Sequence, residues 1–124
     1  MKKPGGRGVT PFLWFKSEAE EAARYYVSVF PDAKLGTIER FAAGNPHGQE
    51  GSVMTASFEL AGQQIVALNG NPKFRFSPAM SLHYWCADPD QAAGLILKLS
   101  EGGETQFGGW LIDKYGVSWQ VHSG

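Results

Sequence analysis

Residues 80–103, MSLHYWCADPDQAAGLILKLSEGG, hold a strand, a helix cap and a helix in immediate succession. Met80 to Ala87 is a short apolar and aromatic run of strand length. Asp88-Pro89 follows, an N-cap aspartate able to take an orphan backbone N–H and a proline whose ring suits the first helical position. Gln91 stands three residues beyond the cap, where its side chain can reach back. Ala92, Leu95, Ile96 and Leu99 then recur at helical spacing as one apolar stripe, and Gly102-Gly103 stops the helix. The same syntax occurs near the N-terminus. Gly8 to Phe15, rich in apolar residues at Val9, Phe12, Leu13, Trp14 and Phe15, reads as a strand buried on both faces. Ser17 and Glu20 stand at capping-box interval, and Ala19, Ala22, Ala23, Tyr26, Val27 and Phe30 form the stripe of the helix they open. Glu20 and Arg24 form an i,i+4 pair on its wet side, and Pro31-Asp32 ends it.

Between the two copies, Leu35 to Phe41 reads as a strand and Ala43 to Gly48 as a loop. Residues 53–60 alternate, with Met54, Ala56, Phe58 and Leu60 on one face and Val53, Thr55, Ser57 and Glu59 on the other. Ala61-Gly62 is a two-residue turn leading into Gln63–Asn69. Residues 70–78 carry two prolines and read as a connector. After the second helix, Glu104–Phe107, Gly109–Asp113 and Val117–His122 are three short β segments. The order is β-α-β-β-β twice, about residues 8–70 and 79–122, with residues 1–7 a flexible tail. The fold class expected is α+β, a single domain of two such units whose free sheet faces curl around one central cleft. Parity places Leu82, Tyr84 and Cys86 under the second helix and Ser81, His83 and Trp85 on the free face. Counting back from the first cap gives Thr10, Phe12 and Trp14 the equivalent surface. In the last strand Val117, Trp119 and Val121 are the buried set, leaving Ser118, Gln120 and His122 on the other side.

The rest of the composition narrows the function. At roughly 100–200 residues per domain, 124 residues make one domain. A hydrophobic share of 43% and a charged share of 19% suit a folded chain. Eleven basic and twelve acidic side chains leave a net charge of −1, without the cationic field of a nucleic-acid or membrane-surface binder. Cys86 is the one cysteine, so no internal disulfide forms; Pro4-Gly5-Gly6-Arg7 is not apolar, so no secretory leader is expected, and no apolar run approaches the ~20 residues of a membrane span. A cytoplasmic location is the expectation. Neither the glycine-rich nucleotide signatures nor a Gly-x-Ser-x-Gly elbow is present, which removes support for the usual methyl-donor fold and for a hydrolase.

Several stretches carry a family resemblance: Thr10-Pro11-Phe12-Leu13-Trp14-Phe15, Glu20 to Tyr26, Val29-Phe30-Pro31-Asp32-Ala33, Phe58 to Gln63, Ala67-Leu68-Asn69-Gly70, Phe74-Arg75-Phe76, and Gly109 to Val121. From Thr10 onward the chain resembles PhnB-like proteins of the glyoxalase, bleomycin-resistance and extradiol-dioxygenase superfamily, also called vicinal oxygen chelate proteins and sometimes labelled demethylubiquinone methyltransferase-like. The resemblance implies the duplicated fold, a homodimer and a small-molecule ligand. It also implies metal-ligand positions at or near Thr10, Asn69, Ser81 and Gln120. None of these is His, Asp or Glu, and neutral oxygens compete poorly with water for a divalent ion. No metal or other cofactor is expected, a site shifted onto His83 being the alternative.

The candidate ligand-binding residues are Phe12, Trp14, Asn69, Arg75, Ser81, His83, Trp85 and Gln120, with His83 the candidate catalytic group. His83 is either an acid, base or ligand, or a strand histidine satisfied by its neighbours. Trp14, Trp85 and Trp110 either stack on a flat ligand or pack in the core. Asn69 and Gln120 either fix a ligand's polar groups or bond to nearby backbone. Phe74-Arg75-Phe76 is a lid with Arg75 gripping an anion, or a crossover anchored by its two rings. Cys86 lies three residues from His83 on a strand, so the two face opposite ways and form no catalytic pair. Two functions remain: a metal-free binder of a small molecule, or a lyase- or isomerase-type enzyme in which His83 moves a proton.

Overall fold

A computed structural model describes residues 8–70 and 73–124; the expected tail, residues 1–7, lies outside the described residues. The chain divides into two compact units between Phe74 and Arg75, inside the connector the prolines mark.

In the first unit, β1 (Phe12–Phe15), α1 (Ala19–Val29), β2 (Ala33–Arg40), β3 (Val53–Leu60) and β4 (Gln63–Asn69) build a sheet of order β1-β4-β3-β2. The second unit repeats the plan with β5 (Leu82–Cys86), α2 (Pro89–Leu99), β6 (Glu104–Thr105), β7 (Trp110–Ile112) and β8 (Ser118–Ser123), in the order β5-β8-β7-β6. In both, the strand before the helix pairs parallel with the last strand and the other pairings are antiparallel. The duplication is thus present in topology.

Each helix covers one face of its sheet. Ala19, Ala22, Ala23 and Tyr26 of α1 are fully buried, as are Ala56 and Phe58 of β3. Tyr26 lies over Phe58 with ring centroids 5.6 Å apart and planes 30° from parallel. In the second unit Ala92, Leu95 and Leu99 are buried together with Tyr84, Cys86, Trp119 and Val121. The Ala61-Gly62 hairpin has positive φ at both residues, 48° and 83°, as the mirror-image turn that matches strand twist requires.

Three expectations change. The first strand begins at Phe12 and is not buried on both faces: Leu13 and Phe15 are buried, whereas Phe12 and Trp14 remain 46% and 40% exposed. The Ser17–Glu20 capping box does not form. Glu18 occupies the cap position, its carboxylate accepts the Ser17 backbone N–H at 2.7 Å, and the Ala19 N–H goes to Asn69 Oδ1 at 2.9 Å. The Asp88 cap does form, accepting the Gln91 N–H at 2.8 Å while Gln91 Oε1 accepts the Ala87 N–H at 2.8 Å. The Glu104–Phe107 segment stops at Thr105, because Phe107–Gly109 turns into a 3₁₀ element with positive φ at Gly108 and Gly109.

Candidate functional site

The parallel pairing of β5 with β8 sets His83 beside Gln120 and Trp85 beside His122. Directly paired residues share a sheet face. Alternation does the rest: Tyr84 and Cys86 go under α2 with Trp119 and Val121, so His83, Trp85, Gln120 and His122 project from the opposite, open face. Trp85 is 62% exposed there, and its indole lies 4.4 Å from the His83 ring centroid at 32°. Trp110 of β7 pairs with Gln120 at the margin of this surface.

The two imidazoles are joined. His83 Nε2 lies 2.8 Å from His122 Nδ1, and His122 Nε2 lies 2.7 Å from the Gly108 carbonyl oxygen. Gly109 makes room for this arrangement, since a Cβ there would meet both His122 Nε2 and the Val121 carbonyl oxygen at 2.7 Å. Its φ of 84° also suits only glycine without strain. Sequence reasoning placed His122 on the open face but gave it no role. Its signal is the pairing register, which puts it two residues along β8 from Gln120, the partner of His83, and so on the same face.

The other candidates divide. Gln120 is half-buried on the open face, and Ser81 is half-buried just before β5. Phe12 and Trp14 lie on the face of the first sheet turned away from α1, with Val66, which is buried, and Leu68 as their partners in register. Phe74 packs edge-on against Trp14 at 5.3 Å and 71°, as an anchored crossover would, and Arg75 is exposed on the far side of the unit boundary. Asn69 departs from expectation. It pairs with buried Phe15 and therefore lies on the helix face, where Oδ1 accepts the Ala19 N–H and Nδ2 donates to the Val53 carbonyl at 3.0 Å. Asn69 is the cap that Ser17 was expected to be. It also lines a shallow groove of about 530 Å³ beside α1, whose rim carries the exposed Glu20–Arg24 ion pair. Asn69→Ala is expected to destabilise the fold by about 1–2 kcal/mol, the worth of a helix cap together with an orphaned carbonyl. Urea denaturation measures this; an unchanged midpoint would mean that water replaces both bonds.

A family model described as 3-demethylubiquinone-9 3-methyltransferase matches residues 7–122. The chain belongs to this PhnB-like family. Among solved structures, the PhnB protein of Bacillus cereus, named as a candidate 3-demethylubiquinone-9 3-methyltransferase, is 36% identical, with 95% of this chain and 100% of that one covered and a TM-score of 0.82. The fosfomycin resistance protein FosX of Listeria monocytogenes matches at 13% identity, 95% and 91% coverage and a TM-score of 0.67. A glyoxalase/bleomycin resistance protein of Albidiferax ferrireducens T118 matches at 14% identity, 93% and 97% coverage and a TM-score of 0.58. At such identities these two show the shared fold alone. No curated protein matches the chain significantly.

The metal implied by the fold family does not fit the donors present. Of the four expected positions, Thr10, Ser81 and Gln120 offer neutral oxygens, and Asn69 is turned to the helix face with both amide groups in backbone bonds. Among the described residues no three His, Cys, Asp or Glu side chains converge. Two hydrogen-bonded imidazoles do not complete a site on their own.

Proposed function

We propose that this PhnB-like protein binds a planar small molecule on the open face of its second sheet, against Trp85, His83, His122 and Gln120. The carrying observation is Trp85: a large aromatic side chain left 62% exposed beside a hydrogen-bonded imidazole pair. An indole so placed offers a stacking face, and uncharged polar groups beside it orient what stacks. The family's name describes chemistry on demethylubiquinone, a ring compound, which supports a planar ligand. A second reading, a lyase- or isomerase-type enzyme with His83 as the proton-moving group, draws support from the same histidine pair.

Quenching of tryptophan fluorescence by 1-naphthol tests the binding reading. Trp85→Ala is expected to weaken binding about fivefold to tenfold, as loss of one stacking partner implies. Equal affinity in the variant would remove the site from this face. The reading further makes the protein a cytoplasmic homodimer without a resident metal. Sedimentation at monomer mass, or a stoichiometric divalent ion in purified protein, would overturn those parts. No helix among the described residues is long and apolar enough to cross a membrane.

A further inference from the structure

We infer that the Gly108 carbonyl, acting through His122, makes His83 Nδ1 a hydrogen-bond acceptor, so that the site selects planar ligands bearing a free hydroxyl over their O-methylated counterparts. The inference rests on the binding reading above and adds the chemical class of the ligand.

A carbonyl oxygen only accepts, so the 2.7 Å contact between His122 Nε2 and Gly108 O requires the proton on His122 Nε2. A neutral imidazole carries one N–H, which leaves His122 Nδ1 a lone pair. The 2.8 Å contact to His83 Nε2 then requires the proton on His83 Nε2. The chain of donors runs one way, from His83 through His122 to the backbone, and ends at His83 Nδ1 as a lone pair. That nitrogen has no hydrogen-bond partner among the described residues, and no carboxylate there lies within ion-pair distance of either ring. His83 is exposed, and the adjacent Trp85 indole supplies the stacking surface on which a ring's edge substituent would reach the imidazole.

A ligand hydroxyl donates to this acceptor. A methoxy group has no proton to give, and its oxygen would face the nitrogen lone pair while its methyl displaces water without replacing the lost bond. Sites that hydrogen-bond a substrate hydroxyl discriminate strongly against analogues lacking it. Toward the ligand hydroxyl His122 is a positioning residue: it acts through His83 and fixes which nitrogen of His83 accepts.

The test compares 1-naphthol with 1-methoxynaphthalene on the intact protein at mildly alkaline pH. The wild type is expected to bind the naphthol about tenfold more tightly, the equivalent of one net hydrogen bond. In His83→Phe the affinity for the naphthol is expected to fall about tenfold, to that of 1-methoxynaphthalene, so that the preference vanishes. Long-range ¹H–¹⁵N spectra of the wild type, which need no variant, are expected to show both histidines as Nε2–H tautomers. An Nδ1–H tautomer at His83 overturns the inference, as does equal binding of the two probes, which leaves the binding reading standing. Failure of both probes to bind overturns the reading and the inference together.

Discussion

Asp113→Ala is expected to lower stability by about 3–5 kcal/mol, because it strips the acceptor from three separate donors. Asp113 directly follows β7 and is 2% exposed. Its Oδ1 accepts the backbone N–H groups of Tyr115 at 2.9 Å and Val117 at 3.0 Å, closing the turn through Lys114-Tyr115-Gly116. Its Oδ2 accepts the indole N–H of Trp119 at 2.9 Å. Trp119 and Val117 are themselves buried, so water does not reach two of the three donors the alanine abandons, the Tyr115 amide being part-buried. Asp113→Asn separates the contributions. The amide oxygen can still serve the two turn amides, but its NH₂ group opposes the Trp119 N–H, and a loss of about 1–3 kcal/mol follows. Both are read from urea denaturation. An alanine variant within about 1 kcal/mol of wild type would show that the turn holds itself without the carboxylate. Because β8 leaves this turn carrying Gln120 and His122, the same variant is expected to lose naphthol quenching.

The sequence makes visible whatever is local. Asp88, Pro89 and Gln91 act within one turn of each other, and the second helix begins where they place it. The alternation along β3 and the parity of β5 depend only on neighbours along the chain, and both appear as read. What escaped was long-range. Ser17 and Glu20 have the right interval for a capping box, but the adjacent Glu18 takes the Ser17 amide and Asn69, fifty residues away, takes that of Ala19. Propensity gives no sign of a cap arriving from another strand. That displacement also turned Asn69 from a ligand candidate into a structural residue. The histidine pair escaped for a related reason: alternation put His83 and His122 on the same side of their strands, but the register of the parallel β5–β8 pairing decides that they touch. The end of β6 also escaped, since Gly108 and Gly109 in left-handed conformation bend the chain just beyond Phe107, where the segment was expected to end.

Phe58→Ala is expected to cost about 4–5 kcal/mol, near the upper end for an aromatic truncation, and the composition of α1 explains why. Phe58 is fully buried in the middle of β3, between Leu35 of β2 and Ile65 of β4 in register, and faces α1. The helix presents Ala19, Ala22 and Ala23 to the sheet, all fully buried, with Tyr26 stacked at a tilt on the Phe58 ring. Alanine has no rotamer with which to move into a vacancy, and the hydrogen-bonded neighbours β2 and β4 hold β3 where it is. The cavity left by the phenyl ring therefore persists, and the cost of the unfilled volume adds to that of the lost transfer free energy. A longer side chain on the helix would relax into the gap and soften the loss; three alanines leave only Tyr26 to shift, at the expense of its own contacts. Phe58→Leu, which keeps most of the volume, is expected to lose about 1–2 kcal/mol. The ordering of the two variants in urea denaturation checks the argument. A loss below about 2 kcal/mol for alanine would mean that α1 settles onto the sheet as a body, which the fixed strand register and the Asn69 bridge between α1 and β3 both oppose.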